Sequence, residues 1–137
     1  MVRTESIRKR LRLLDEYRAT LYQLQGCTLD EFVSDPKNFG SAERFMQIAI
    51  EALIDLGNHV IAEQGLGMVD AYSDIPTILA EHGYITPELS ATWIKMIGFR
   101  NLLVHDYADI DRAKVYDVLQ NRLGDIEALQ KVFAQFL

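Results

Sequence analysis

The stretch TPELSATWIKMIGFRNLLVHDY (residues 86–107) reads as one long helix packed against another helix. Thr86-Pro87 opens it, because proline's missing N–H would be unpaired at a first helical position anyway. From Pro87 the helical pattern runs towards His105. Trp93, Ile97, Arg100, Val104 and Tyr107 recur at 4-3-4-3 spacing, the period of a seam facing a partner helix. An arginine in the middle of such a seam is out of place. Its guanidinium cannot shed its charge, so burial is costly without a counter-charge or a bound anion. Two readings follow: a buried arginine–carboxylate pair, or an anion site, most simply for phosphate.

Outward from this helix the rest of the chain is also helical. A first helix is expected over Glu5–Gln25, with Thr4 as N-cap and Ile7, Leu11, Leu14 and Leu21 on one stripe. Thr28 and Glu31 form a capping-box pattern that opens a short helix ending near Asp35-Pro36. A second long helix is expected over Ser41–Gln64, closed by Gly65. A short helix follows, about Asp74 to His82. The last stretch, Asp111–Leu137, is helical with a break expected at Gly124-Asp125. The chain is therefore read as all-α, an antiparallel four- to five-helix bundle forming a single domain over residues 1–137. Its apolar content of 49% and charged content of 25% are those of an ordinary globular protein, not of a disordered one. Uninterrupted apolar runs are only a few residues long, so no membrane span is expected. Residues 1–20 carry scattered charges and no apolar core, so they do not read as a secretory signal. The single Cys27 cannot form an intrachain disulfide, which fits a reducing cytoplasm.

A second seam carries polar groups. Ile48, Ala52, Asp55, His59 and Ala62 also follow 4-3-4-3 spacing, with Asp55 and His59 one turn apart. Asp55 is thus the expected partner of Arg100, and an inter-helix hydrogen-bond network that fixes register is as good an account as a site. His105 lies five residues beyond Arg100, roughly 140° around a straight helix, so the two do not share a face. Unwinding near His105, long side-chain reach or a symmetry-related copy could bring them together. By itself His105 is accounted for by the helix C-terminus, where an imidazolium is favoured.

The segment RNLLVHDY (residues 100–107) reads R-x4-H-x-Y and resembles the signature of the HEPN superfamily, specifically the HepT toxins of HepT–MntA (type VII HEPN/MNT) toxin–antitoxin pairs. Residues 46–59, MQIAIEALIDLGNH, are similar to that family's second long helix, and Phe99 precedes the motif as in the family. The resemblance covers most of the chain. It implies a HEPN-like bundle that dimerises, or forms a higher even-numbered oligomer, so that two motifs face a shared cleft. It implies a metal-independent endoribonuclease without cofactors, acting on mRNA or tRNA. Arg100 and His105 would be its catalytic pair, with Asn101 a weaker candidate and Asp55 and His59 in support. Tyr107 would be the tyrosine that an MntA-type nucleotidyltransferase antitoxin silences by adding AMP.

The chemistry suits those residue types. RNA cleavage by its own 2′-hydroxyl needs a proton acceptor, a proton donor and a counter-charge for the phosphoryl oxygens. Imidazole titrates near neutral pH and can fill either proton role. An arginine fork binds phosphate oxygens bidentately. On a continuous helix Tyr107 would lie two turns beyond Arg100 at nearly the same azimuth, so a phosphate attached there would block the anion pocket. The net charge of −6 excludes RNA binding through bulk charge. Residues 1–18 hold six basic and three acidic side chains, so steering is expected from Arg8, Lys9, Arg10 and Arg12 or from paired motifs. The competing reading is a non-catalytic helical partner of a small nucleotidyltransferase. A metalloprotein is disfavoured: Glu51, Asp55 and His59 share a helix face, but no Glu-x-x-His pair accompanies them. Cys27 has no basic partner in sequence that would make it a nucleophile.

Overall fold

Pro36, rather than Ser41, opens the longest helix. Asp35 takes an extended conformation and its carboxylate accepts from the Lys37 N–H at 2.9 Å, so the helix starts as soon as the preceding one ends. The computed structural model describes residues 3–137, apart from the side chain of Tyr107. Among these residues the chain forms α1 (Thr4–Leu24), α2 (Leu29–Ser34), α3 (Pro36–Gln64), α4 (Asp74–Glu81), α5 (Pro87–His105), α6 (Arg112–Asn121) and α7 (Leu123–Ala134), with a 3-10 turn over Tyr107–Asp109. No strand is present among the described residues, and the all-α, bundle-like architecture stands as read. Three boundaries differ from the sequence reading. Thr4 is the first helical residue of α1 and Arg3 precedes it as cap, without a side-chain cap bond. Gly40 is absorbed within α3. The break in the C-terminal stretch falls at Arg122, and Gly124 lies in the first turn of α7, where helix-start amides need no preceding turn.

The capping box at the start of α2 forms as the sequence requires. The Glu31 N–H donates to Thr28 Oγ1 at 3.2 Å and the Thr28 N–H donates to Glu31 Oε1 at 2.8 Å. Gly65 ends α3 in the left-handed region, at φ 61°, which costs glycine nothing.

Helix α3 is the axis of the bundle and packs against α1, α2, α4, α5, α6 and α7. Its buried residues Met46, Ala49, Ile50, Leu53, Leu56, Val60 and Ile61 meet Ile7, Leu14 and Leu21 of α1, Trp93 and Ile97 of α5, and Leu129 and Phe133 of α7 in one core. Contrary to the sequence expectation, α3 is long and apolar enough to cross a membrane. Of its most apolar window, 56% is buried inside the bundle, and core packing accounts for that apolarity.

Two contacts fix the register of α5 on α3. Gly57 lets Trp93 and Ile75 close in. A Cβ built at Gly57 would lie 2.4 Å from Ile75 Cγ2 and 2.8 Å from Trp93 Cη2. Six residues earlier on α3, Glu51 meets Arg100. Since Gly57 faces Trp93 and Glu51 faces Arg100, the helices run antiparallel. The polar seam of α3 is not a packed seam within the chain: Asp55 and Ala62 are exposed and His59 is half-buried.

Candidate functional site

Arg100 leaves α5 towards α3 and is received by Glu51, not by Asp55. Both its Nε–H and an Nη2–H donate to Glu51 Oε2, at 2.9 and 2.7 Å. Gln47 Nε2, one turn earlier on α3, donates to the same oxygen at 3.1 Å. The expected Asp55 partnership is therefore wrong by one helical turn. The antiparallel register set at Gly57 brings residue 51, rather than 55, to the level of Arg100. Asp55 is exposed, and no ion pair or hydrogen bond joins it to Arg100 among the described residues.

The guanidinium has two bidentate edges. Glu51 uses the edge made by Nε and Nη2. Nη1 donates to Asn101 Oδ1 at 3.2 Å, so the edge made by Nη1 and Nη2 carries no carboxylate. One face of the guanidinium lies over the Tyr72 ring, with Cζ 5.4 Å from its centroid. The Arg100 side chain is 15% exposed and that of Glu51 31%, so the pair is neutralised within the chain yet still reached by solvent. A charge so placed can grip a second anion through its open edge without leaving the first.

His105 is the last residue of α5 and is exposed. The helix stops there: Asp106 has φ −118° and ψ 29°, outside helical values, and its N–H closes the last turn on the Leu102 carbonyl. Among the described residues no hydrogen bond or ion pair links His105 to Arg100. His59 lies far along α3 from this point, beyond the Gly57–Trp93 level, and does not approach His105. Its Nε2 is buried with no hydrogen-bond partner among the described residues. The side chain of Tyr107 lies outside the described residues. Its backbone belongs to the 3-10 turn rather than to α5, so the azimuth argument built on a continuous helix does not hold.

Other sequence candidates resolve as structure. Cys27 Sγ donates to the Leu24 carbonyl, and burial pushes the thiol pKa up, the opposite of an activated nucleophile. No group of three or more His, Cys, Asp or Glu side chains forms a metal-binding cluster among the described residues. Arg8, Lys9 and Arg12 are exposed, whereas Arg10 is partly buried and donates to Ser6.

Two neighbours of Arg100 were not foreseen. Glu51 reads in sequence as an ordinary helix-surface charge, and only its four-residue spacing from Asp55 hinted at it. Tyr72 lies in the segment between Gly65 and Asp74, where no periodicity says which helix it leans on.

Comparison with known proteins gives the site its setting. A family profile described as Ribonuclease HepT-like matches residues 7–133. The mRNA nuclease HepT of Shewanella oneidensis is 40% identical over 82 residues, 60% of this chain and 62% of that protein, so the match spans less than two thirds of that relative. The tRNA nuclease HepT of Aphanizomenon flos-aquae is 30% identical over 110 residues, 80% of this chain and 75% of that protein. A solved structure of tri-AMPylated Shewanella oneidensis HEPN toxin in complex with MNT antitoxin superposes with a TM-score of 0.88 at 31% identity, covering 95% of this chain and 97% of that one.

Proposed function

We propose, from the premise that this chain belongs to the HepT-like ribonuclease family, that it is an endoribonuclease toxin acting on RNA in the cytoplasm through Arg100 and His105. The single observation that carries the reading is a solvent-reached guanidinium whose Nε/Nη2 edge is fixed by Glu51 while its Nη1/Nη2 edge meets only the neutral Asn101 amide and carries no carboxylate. A second copy of the chain completes the site. The face of α5 that ends in His105 also carries Ile94, Gly98 and Leu102, all exposed and apolar or bare. Nothing lies within 4 Å of a Cβ built at Gly98, so a partner helix can approach closely there. Two copies joined on this face would bring two His105 imidazoles to one cleft, with each Arg100, which leaves α5 towards α3, at its margin.

In that cleft one imidazole takes the proton of a ribose 2′-hydroxyl. The 2′-oxygen then attacks the adjacent phosphorus. Charge that builds on the phosphoryl oxygens is met by the open edge of Arg100, already oriented by Glu51 and Asn101. The second imidazole protonates the departing 5′-oxygen, leaving a 2′,3′-cyclic phosphate and a free 5′-hydroxyl. This route takes its nucleophile from the substrate and no metal or cofactor from the protein. By analogy with the AMPylated relative, an MntA-type nucleotidyltransferase transfers AMP to Tyr107, one residue past the α5 cap, and the added phosphate competes with RNA for the cleft.

Arg100→Ala and His105→Ala are each expected to abolish cleavage of single-stranded RNA with EDTA present, and to lift growth arrest, while helical content stays near the parent's. Parent-like cutting by both variants would overturn the assignment. The observation that Arg100 is already paired inside its own chain favours one other reading, a non-catalytic partner of a nucleotidyltransferase. Purified chain, shown by intact mass to carry no AMP, decides between them: RNA breakdown supports the nuclease, and persistent silence supports the partner module.

A further inference from the structure

Against one face of the Arg100 guanidinium stands an aromatic ring that the proposed chemistry leaves unused. Tyr72 is 48% exposed, far more than a ring serving only as packing requires. Its backbone is also tied down. The Asp74 carboxylate accepts from the N–H groups of Asp70 and Ala71, at 3.0 and 2.9 Å. The Ile75 N–H in turn closes on the Tyr72 carbonyl at 3.1 Å, which ties the residue to the start of α4. Ile75 and Pro76 anchor that helix in the core. Tyr72 thus presents its ring from a tied backbone, 5.4 Å from the guanidinium carbon.

Single-stranded RNA is bound chiefly by stacking unpaired bases on aromatic and guanidinium planes while cations hold the backbone. Here a phosphate-gripping guanidinium and an exposed ring lie within one nucleotide's reach of each other. We infer that Tyr72 stacks the base of the nucleotide whose phosphate Arg100 holds, and so selects unpaired RNA at the cleavage position. The inference rests on the ribonuclease reading above. Tyr72 is a binding residue in this role. It moves no proton, and its ring face, rather than its hydroxyl, does the recognition.

A merely structural role, in which the ring props up Arg100, makes a different prediction, and a coupling experiment separates the two. The full chain with His105→Ala, expected to bind RNA without cutting it, is titrated with a fluorescein-labelled single-stranded RNA. It is titrated again with a series of the same RNA carrying one abasic nucleotide at each position in turn. Stacking predicts one position where the abasic change weakens binding about tenfold, the scale of one lost base–aromatic stack. Adding Tyr72→Ala should erase that penalty and itself cost the intact RNA about tenfold. Tyr72→Phe should behave as the parent, and Tyr72→Leu, which retains an apolar prop, should bind as Tyr72→Ala does. In the cleaving protein Tyr72→Ala should raise KM while leaving kcat within about threefold.

If no abasic position couples to Tyr72 although RNA is bound and cut, the stacking inference is overturned and the nuclease assignment stands. A kcat loss with unchanged KM would likewise overturn it in favour of a prop for Arg100. Should the unmodified parent neither bind nor cut RNA, both fall together.

Discussion

Gly57 shows how much one residue can decide. It needs no unusual backbone angle. Its lack of a Cβ is what admits Trp93 and Ile75 to the axis of the bundle, and that contact sets the level at which Arg100 meets α3. Gly57→Ala should cost about 1–2 kcal/mol in urea unfolding, the crowding of two core side chains outweighing alanine's better helix propensity. An equal or higher midpoint would show that Ile75 and Trp93 yield freely. At this scale sequence reading singled out Arg100 and His105 as candidates, with Asn101 a weaker one, since charge and imidazole on an apolar helix are visible without coordinates. It could not pair them. Glu51 and Asp55 differ by a single turn, and both are acidic residues on the same helix face. The choice between them lies in how far one helix slides along the other, which no local pattern records.

Among the elements, α2 is six residues long and depends on its cap more than the long helices do on theirs. Thr28→Ala should lower stability by about 1 kcal/mol, measured by thermal unfolding. The same box makes a pH prediction. Hydrogen bonds from the Thr28 backbone and hydroxyl hold the Glu31 carboxyl below its ordinary pKa. A depressed carboxyl pKa adds stability that is present above the unfolded-state value and is lost as pH falls through the folded-state value. Glu31→Gln should therefore destabilise the protein at neutral pH and cease to differ from the parent in acid, and a constant difference at all pH would remove the cause named here. Helix extents were largely legible because caps are local: Thr28, Asp35, Gly65 and Thr86 each act on their own few neighbours. The break expected at Gly124 falls at Arg122 because glycine in a first helical turn costs only about 1 kcal/mol, which the packing of the helix repays.

On the scale of the whole molecule, assembly is the consequential question. If two copies meet on the face of Ile94, Gly98 and Leu102, then Leu102→Glu should halve the mass seen in sedimentation and abolish RNA cleavage, with the helical spectrum kept. A cleaving monomer would show that one chain suffices. Interleaved helical stripes and start and stop signals made the all-helical bundle readable from the chain alone, and the R-x4-H-x-Y segment pointed to the family, because each depends on neighbours within a turn or two. What required the tertiary structure was everything set by helices sliding and turning against one another: Glu51 on Arg100, Tyr72 over the same guanidinium, Asp55 left in solvent, and α5 ending before Tyr107. Local hydrogen bonding fixes where a helix begins, whereas the level and angle at which two helices meet are chosen by the summed packing of side chains distant in sequence.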